Sequence, residues 1–172
     1  MRFPRFIPLL FLAFSAIARA QLDGVSVSSP DFAYGSSIPA RFTCDGENVP
    51  PTLDITRVPT GTRSFALLVD DRDSPSGSFT HWIVWNIPPG TKRLSAGALP
   101  AGVREGTNDF GTKGYSGPAP PSGTHRYYFV IWALDTVLTL PTGASREDFD
   151  AAIRGHVKAS TEVMGRYAKA GQ

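Results

Sequence analysis

The 172-residue sequence predicts a mainly β domain, and three observations carry that prediction. Its 17 Gly and 15 Pro are spread between apolar runs rather than gathered in one linker, so the chain turns often. The runs themselves are short, and the strongest are dense in β-branched and aromatic residues. One segment alone combines a helical apolar face with capping residues at both ends.

The elements follow in chain order. Residues 1–20 read as a secretory signal peptide: Arg2 and Arg5, an apolar stretch from Phe6 to Ile17, and Ala18-Arg19-Ala20 before a cleavage point at Gln21. A membrane anchor is the competing reading, but the stretch falls short of the roughly 20 residues a bilayer requires. Residues 21–172 then form one domain, expected to be exported and periplasmic. The leader holds three of the 17 Lys and Arg and none of the 15 acids, so the remainder carries 14 bases against 15 acids. That formal charge of −1 leaves no basic stripe for nucleic acid.

Val25 to Ser28 alternates apolar and polar residues, as a half-buried strand does. Cys44 is the only cysteine and has no internal partner for a disulfide. It is expected to be a small buried hydrophobe, with a reactive thiol as the alternative. Ser64 to Val69 is a continuous apolar run. Thr80 to Ile87 and His125 to Leu134 read as central strands with apolar residues toward both faces. A helix is predicted from Arg146 to Arg154, with Ser145 as N-cap, Asp148 in a near capping box and Gly155 as the stop. Phe149, Ala152 and Ile153 share its apolar face. Val157 to Tyr167 alternates with period two and is read as a last strand, with a helix as the alternative.

Three polar constellations stand out. Asp70-Asp71-Arg72-Asp73-Ser74-Pro75 crowds acids at a strand end, where they must be solvated, paired or hydrogen-bonded; an acidic turn capping its own backbone is the plainer reading. His81 lies within an apolar strand. Strict period two puts it with Ile83, Trp85 and Ile87, and puts Thr80, Trp82, Val84 and Asn86 on the other face. It is either a satisfied core histidine or a ligand-facing one. The third constellation is the Gly- and Pro-rich segment from Gly106 to Pro121, which leads into His125-Arg126-Tyr127. His125 and Tyr127 share a strand face and offer donors to an anionic oxygen. No Gly-x-Ser-x-Gly elbow, phosphate loop, His-Glu-x-x-His or paired-cysteine pattern is present. Asp71, Asp73, His81 and His125 match no metal-ligand spacing, so neither metal nor cofactor is expected.

In order, these segments resemble the phosphatidylethanolamine-binding protein family, in its bacterial Raf kinase inhibitor-like branch. The anchors are Phe42 to Asn48 with Pro50-Pro51, Asp71 to Pro75, Phe79 to Trp82, Gly106 to Gly117, Pro120 to Tyr127, and Gly155-His156-Val157 through Tyr167; together they span most of residues 24–168. The resemblance implies a large antiparallel sheet packed with a smaller one and one or two short helices. It also implies a small anion pocket formed by Asp71, Asp73, Pro75, His81, Gly117, Pro120, Pro121, His125 and Tyr127. The implied role is non-catalytic binding of phosphate, carboxylate or a phospholipid head group, with no nucleic acid and no membrane span. Two other roles stay open: an inhibitor that docks a protease, kinase or host protein at the pocket rim, and a hydrolase using His81 as base and Asp71 to orient it. The chain departs from the family pattern with Arg72 and Ser74 where Pro and Ala are usual, and with Ile55 near a common Trp. It also lacks the C-terminal helix of eukaryotic relatives.

Overall fold

The computed structural model describes residues 24–97 and 99–169; the signal-peptide reading of residues 1–20 lies outside them. Two antiparallel sheets and one helix make up the fold. The smaller sheet holds β1 (Ser26–Ser28), β2 (Leu53–Thr56) and β5 (Arg93–Leu94), in the order β1-β2-β5. The larger holds β3 (Ser64–Asp71), β4 (Phe79–Ile87), β6 (Arg104–Glu105), β7 (Thr124–Leu134) and β8 (Val157–Ala168), in the order β6-β4-β3-β7-β8.

β3 is central, and all eight of its residues are buried, as its unbroken apolar run requires. One face of the large sheet packs on the small one, where Val27, Leu53, Ile55 and Leu94 meet Phe65, Leu67, Val69, Phe129 and Ile131. The other face carries Ala66, Leu68, Ile83 and Trp85 and is covered by α1 (Arg146–Ile153) through Phe149 and Ile153. Phe149 stands between Trp85 and Trp132, with ring centroids 6.4 and 5.9 Å away. The fold is therefore small sheet, large sheet, helix.

The helix has the predicted caps. The Asp148 N–H donates to Ser145 Oγ at 3.1 Å, and the Ser145 N–H donates back to Asp148 Oδ2 at 3.2 Å. Arg154 is its C-cap rather than its last turn, and Gly155 follows at φ +82°, in the left-handed region that a side chain resists. Ala152 is only partly buried at the edge of the apolar face. The last segment is a strand, paired with β7 from Thr124↔Ala168 to Ala133↔Ala159. That ladder runs almost the whole length of the segment and leaves no room for the helical alternative.

Two expectations are corrected. Cys44 is exposed, because the 3-10 turn Ala40–Phe42 directs Phe42 and Thr43 inward and turns the next residue out. Its thiol is pushed up by partial burial and by Asp45, the reverse of what a reactive thiolate needs. The strict alternation assigned to β4 also fails. Asp70 pairs with Thr80 and Val69 with Trp82, so His81 is an extra residue in β4. A second shift lies at Asn86, held at φ +61° by a bond from its amide to the Leu138 carbonyl (2.9 Å) and one from the Leu138 N–H (2.8 Å). Trp82, Val84 and Ile87 consequently share the core between the sheets, while Ile83 and Trp85 face the helix.

Candidate functional site

The bulge at His81 creates the site. With one residue inserted, the His81 ring turns to the same side of the sheet as Asp71 and Tyr127, neighbours across β3 and β7. It packs edge-on against Tyr127 (5.2 Å between centroids, 84°), Phe79 (5.4 Å) and Phe110 (5.4 Å). His81 is 2% exposed, and its Nδ1 lies 2.6 Å from the Ser116 carbonyl. A carbonyl only accepts, so Nδ1 carries the proton and Nε2 is left for the cavity. Burial lowers the basicity of the ring, so His81 is neutral at neutral pH and Nε2 is an acceptor.

A cavity of about 320 Å³ opens over this ring, walled by Asp71, Ser74, Pro75, Phe79, Phe110 and Pro121, together with Ser76 and Ala119. That volume lies at the small end of ligand-binding cavities, roughly 300–1,000 Å³. Its rim is the loop between β6 and β7, which Asn108 knits together. Asn108 Oδ1 accepts from the N–H groups of Phe110 (3.0 Å) and Thr112 (3.2 Å), and its amide donates to Gly114 O (3.0 Å) and Ser116 Oγ (3.1 Å). The loop is pinned to β4 by the Thr80 N–H on Asp109 Oδ2 (2.6 Å) and the Ser116 N–H on His81 O (3.1 Å).

Asp71 ends β3 with both oxygens occupied. Oδ2 accepts from His125 Nδ1 at 2.6 Å, and Oδ1 accepts from the Asp73 N–H at 2.9 Å. The carboxylate and the imidazole are 5% and 9% exposed, so water does little to screen the pair. Tyr127 is fully buried beside this pair, and its hydroxyl has no hydrogen-bond partner among the described residues. Burial, and then the Asp71 charge, push that hydroxyl upward, so it stays protonated.

The predicted residues therefore separate into groups. Asp71, Pro75, His81 and Pro121 line the cavity, and Tyr127 backs it. His125 reaches it only through Asp71, and the residue also borders a neighbouring cavity with Asp73. Asp73 holds Arg126 through three bonds of 2.6–2.9 Å and lies outside the His81 cavity. Arg72 turns away as well, bonding Glu162 (3.0 Å) and stacking 3.8 Å over the Tyr128 ring. Gly117 and Pro120 are buried in the loop's base and do not line the cavity. The Gly117 N–H donates to Asn48 Oδ1 at 2.7 Å, and a Cβ there would strike the Phe42 carbonyl, so its role is close packing. Sequence reasoning missed Phe79, Phe110, Ala119 and Asn108. Asn108 carried a usable signal, since Asn two residues before a turn's next N–H commonly caps it.

Among the described residues no cluster of His, Cys, Asp and Glu could hold a metal ion, and no helix is long and apolar enough to cross a membrane.

Comparison with known proteins places this arrangement. The family model for phosphatidylethanolamine-binding protein matches residues 28–168. The chain belongs to the phosphatidylethanolamine-binding protein family. Relatives of this family member include a UPF0098 protein of Methanothermobacter thermautotrophicus, 50% identical over 137 residues, covering 77% of this chain and 91% of the relative. Another, from Aquifex aeolicus, is 42% identical over 152 residues, covering 84% of this chain and 89% of the relative. Among solved structures, the phosphatidylethanolamine-binding protein homologue CT736 of Chlamydia trachomatis superposes with a TM-score of 0.81 at 38% identity, over 86% of this chain and 99% of that one. Escherichia coli YbcL, described as a member of the mammalian family, superposes with a TM-score of 0.80 at 32% identity, over 84% and 98%. The two-sheet architecture is thus that of the family.

Proposed function

We propose that the chain is an exported, non-catalytic binding protein for small phosphate- or carboxylate-class anions, including phospholipid head groups, with the His81 cavity as its seat. The observation that carries this reading is the cavity itself, a small pocket lined by His81, whose Nδ1 is spent on the Ser116 carbonyl, over a floor where Asp71 is fully bonded and the Tyr127 hydroxyl is not. At neutral pH Nε2 accepts, so it suits a singly charged group that still carries a proton, such as dihydrogen phosphate or a phosphomonoester monoanion. On acidification His81 gains a proton and becomes a donor. The Asp71 charge argues against a dianion. The apolar walls from Phe79, Phe110 and Pro75 leave room for the carbon attached to the anionic group.

The case against catalysis is chemical. The cavity's hydroxyls, Ser74 and Ser76, lie 3.0 Å apart and bond each other, and among the described residues neither is bonded to a histidine. One or two charge-assisted bonds of about 1.5–3 kcal/mol each, set against the cost of association, give an affinity in the range of about micromolar to millimolar.

The test is calorimetric titration of inorganic phosphate and O-phosphoethanolamine into the full chain and its His81→Ala variant. Wild type should bind more tightly as pH falls through the histidine range, and the variant should lose the tighter, pH-dependent component of that binding. Equal affinity in the two proteins would overturn the assignment.

A further inference from the structure

On the far side of the Asp71–His125 pair lies a second, more open cavity of about 540 Å³, walled by Asp73, His125, Arg126, Arg166 and the turn Ser122–Thr124. Its charge pattern is unusual for a sheet. Arg126 and Arg166 are direct partners across β7 and β8, so their side chains leave the same face side by side. Like charges placed opposite one another destabilise a strand pair unless something neutralises them. One carboxylate is present for the two guanidinium groups, and Asp73 spends it on Arg126, taking Nε at 2.8 Å and Nη2 at 2.6 Å. Arg166 has no side-chain hydrogen bond or ion pair among the described residues. The next charges on that face, Arg72 with Asp70 and Glu162, are bonded to one another and lie outside the cavity wall.

His125 borders the cavity as well, while its side chain leaves β7 on the face opposite Arg126 and is committed through Nδ1 to Asp71. The hydroxyls of Ser122 and Thr124 stand on the same wall, and Gly123, at φ +67°, opens the turn with nothing within 4 Å of where a Cβ would sit. A planar guanidinium with both edges free and two hydroxyls together match an oxyanion of phosphate type.

We infer that the Arg166 cavity is a second oxyanion subsite, separate from the His81 cavity, that takes a phosphate group. The Asp71–His125 pair is the common wall, so one ligand bearing two polar groups can straddle it. The shared chemistry is the phosphate, whether carried by a lipid head group or free in solution. This subsite does not depend on the His81 cavity being occupied.

The test is a two-site titration by nuclear magnetic resonance, following the Arg166 Nε–Hε and the two imidazoles as inorganic phosphate is added to the full chain at low ionic strength. Phosphate should shift the Arg166 Nε–Hε. Arg166→Gln should weaken that response roughly ten-fold or more, the size expected for one charge-assisted pair. Arg166→Lys should restore part of it. Arg166 is exposed, so both variants should keep the wild-type melting temperature. His81→Ala should leave the Arg166 response in place, even where it abolishes binding in the first cavity. Repeating the titration with glycerophosphoethanolamine tells the sources apart, tighter binding marking a head group and weaker binding free phosphate; either upholds the subsite. The inference falls if Arg166 responds to phosphate no more than to chloride at equal ionic strength, or if Arg166→Gln titrates like wild type.

Discussion

Replacing Asp71 with Ala removes one carboxylate from two bonds at once, and the structure allows its effect to be sized. The His125 Nδ1 contact is 2.6 Å and the Asp73 N–H contact is 2.9 Å. Both members of the pair are nearly shut off from water, so solvent cannot replace what is lost. Two hydrogen bonds to a carboxylate, at about 1.5–3 kcal/mol each, come to about 3–6 kcal/mol. At about 2–4 °C per kcal/mol for a domain of this size, even the lower figure shifts the melting temperature down by about 6–12 °C. His125→Ala should cost a comparable amount. If the two side chains act as one unit, the double variant should cost far less than the sum, with a coupling energy of about 1.5–3 kcal/mol. The assay is urea unfolding followed by the fluorescence of Trp82, Trp85 and Trp132, run as a complete double-mutant cycle. Additivity within about 0.5 kcal/mol would refute the claim that Asp71 and His125 form a buried, mutually dependent pair. Asp71→Asn separates charge from geometry, since its amide oxygen can still accept the Asp73 N–H.

Two further outcomes are expected. Gly117→Ala should destabilise by about 1–3 kcal/mol in thermal melts, because the new Cβ meets the backbone of Phe42 and stands 2.9 Å from Thr43 Cα, atoms that cannot rotate aside; a melting temperature equal to wild type would show that the loop shifts freely. His81 makes stability depend on pH in a defined direction. Its folded pKa lies below the ordinary value near 6.5, so as pH falls the unfolded chain takes the proton first. Stability is therefore whole above that value and declines as pH drops toward the lower folded value. His81→Gln should flatten that decline in urea melts across the histidine range, and a decline as steep as that of wild type would assign it to other groups.

How much of this was legible in the sequence varies by element. The central strands were legible because a run such as Phe65 to Val69 has no polar residue to place in water, as suits a strand covered on both faces. The helix was legible because its caps are local: Ser145 and Asp148 meet across three residues whatever surrounds them. The strands Leu53–Thr56, Arg93–Leu94 and Arg104–Glu105 were not singled out, since two to four residues carry too little periodicity to read. Cys44 was misplaced because average burial says nothing about the direction in which a 3-10 turn releases the next residue. In the site, Asp71 and His81 were identified and do line one cavity, whereas His125 was expected there and stands behind Asp71.

Residue chemistry and local pattern alone determined that this chain would build sheets, where one helix would start, and which acids, histidines and glycines were unusual. Those properties depend on neighbours a few positions away. Only the tertiary structure decided which way His81 points, because one inserted residue in a ladder reverses a side chain's face and is invisible until the partner strand is known. The same holds for the facing arginines: forty positions separate Arg126 from Arg166 in the chain, and only β7–β8 pairing brings them side by side.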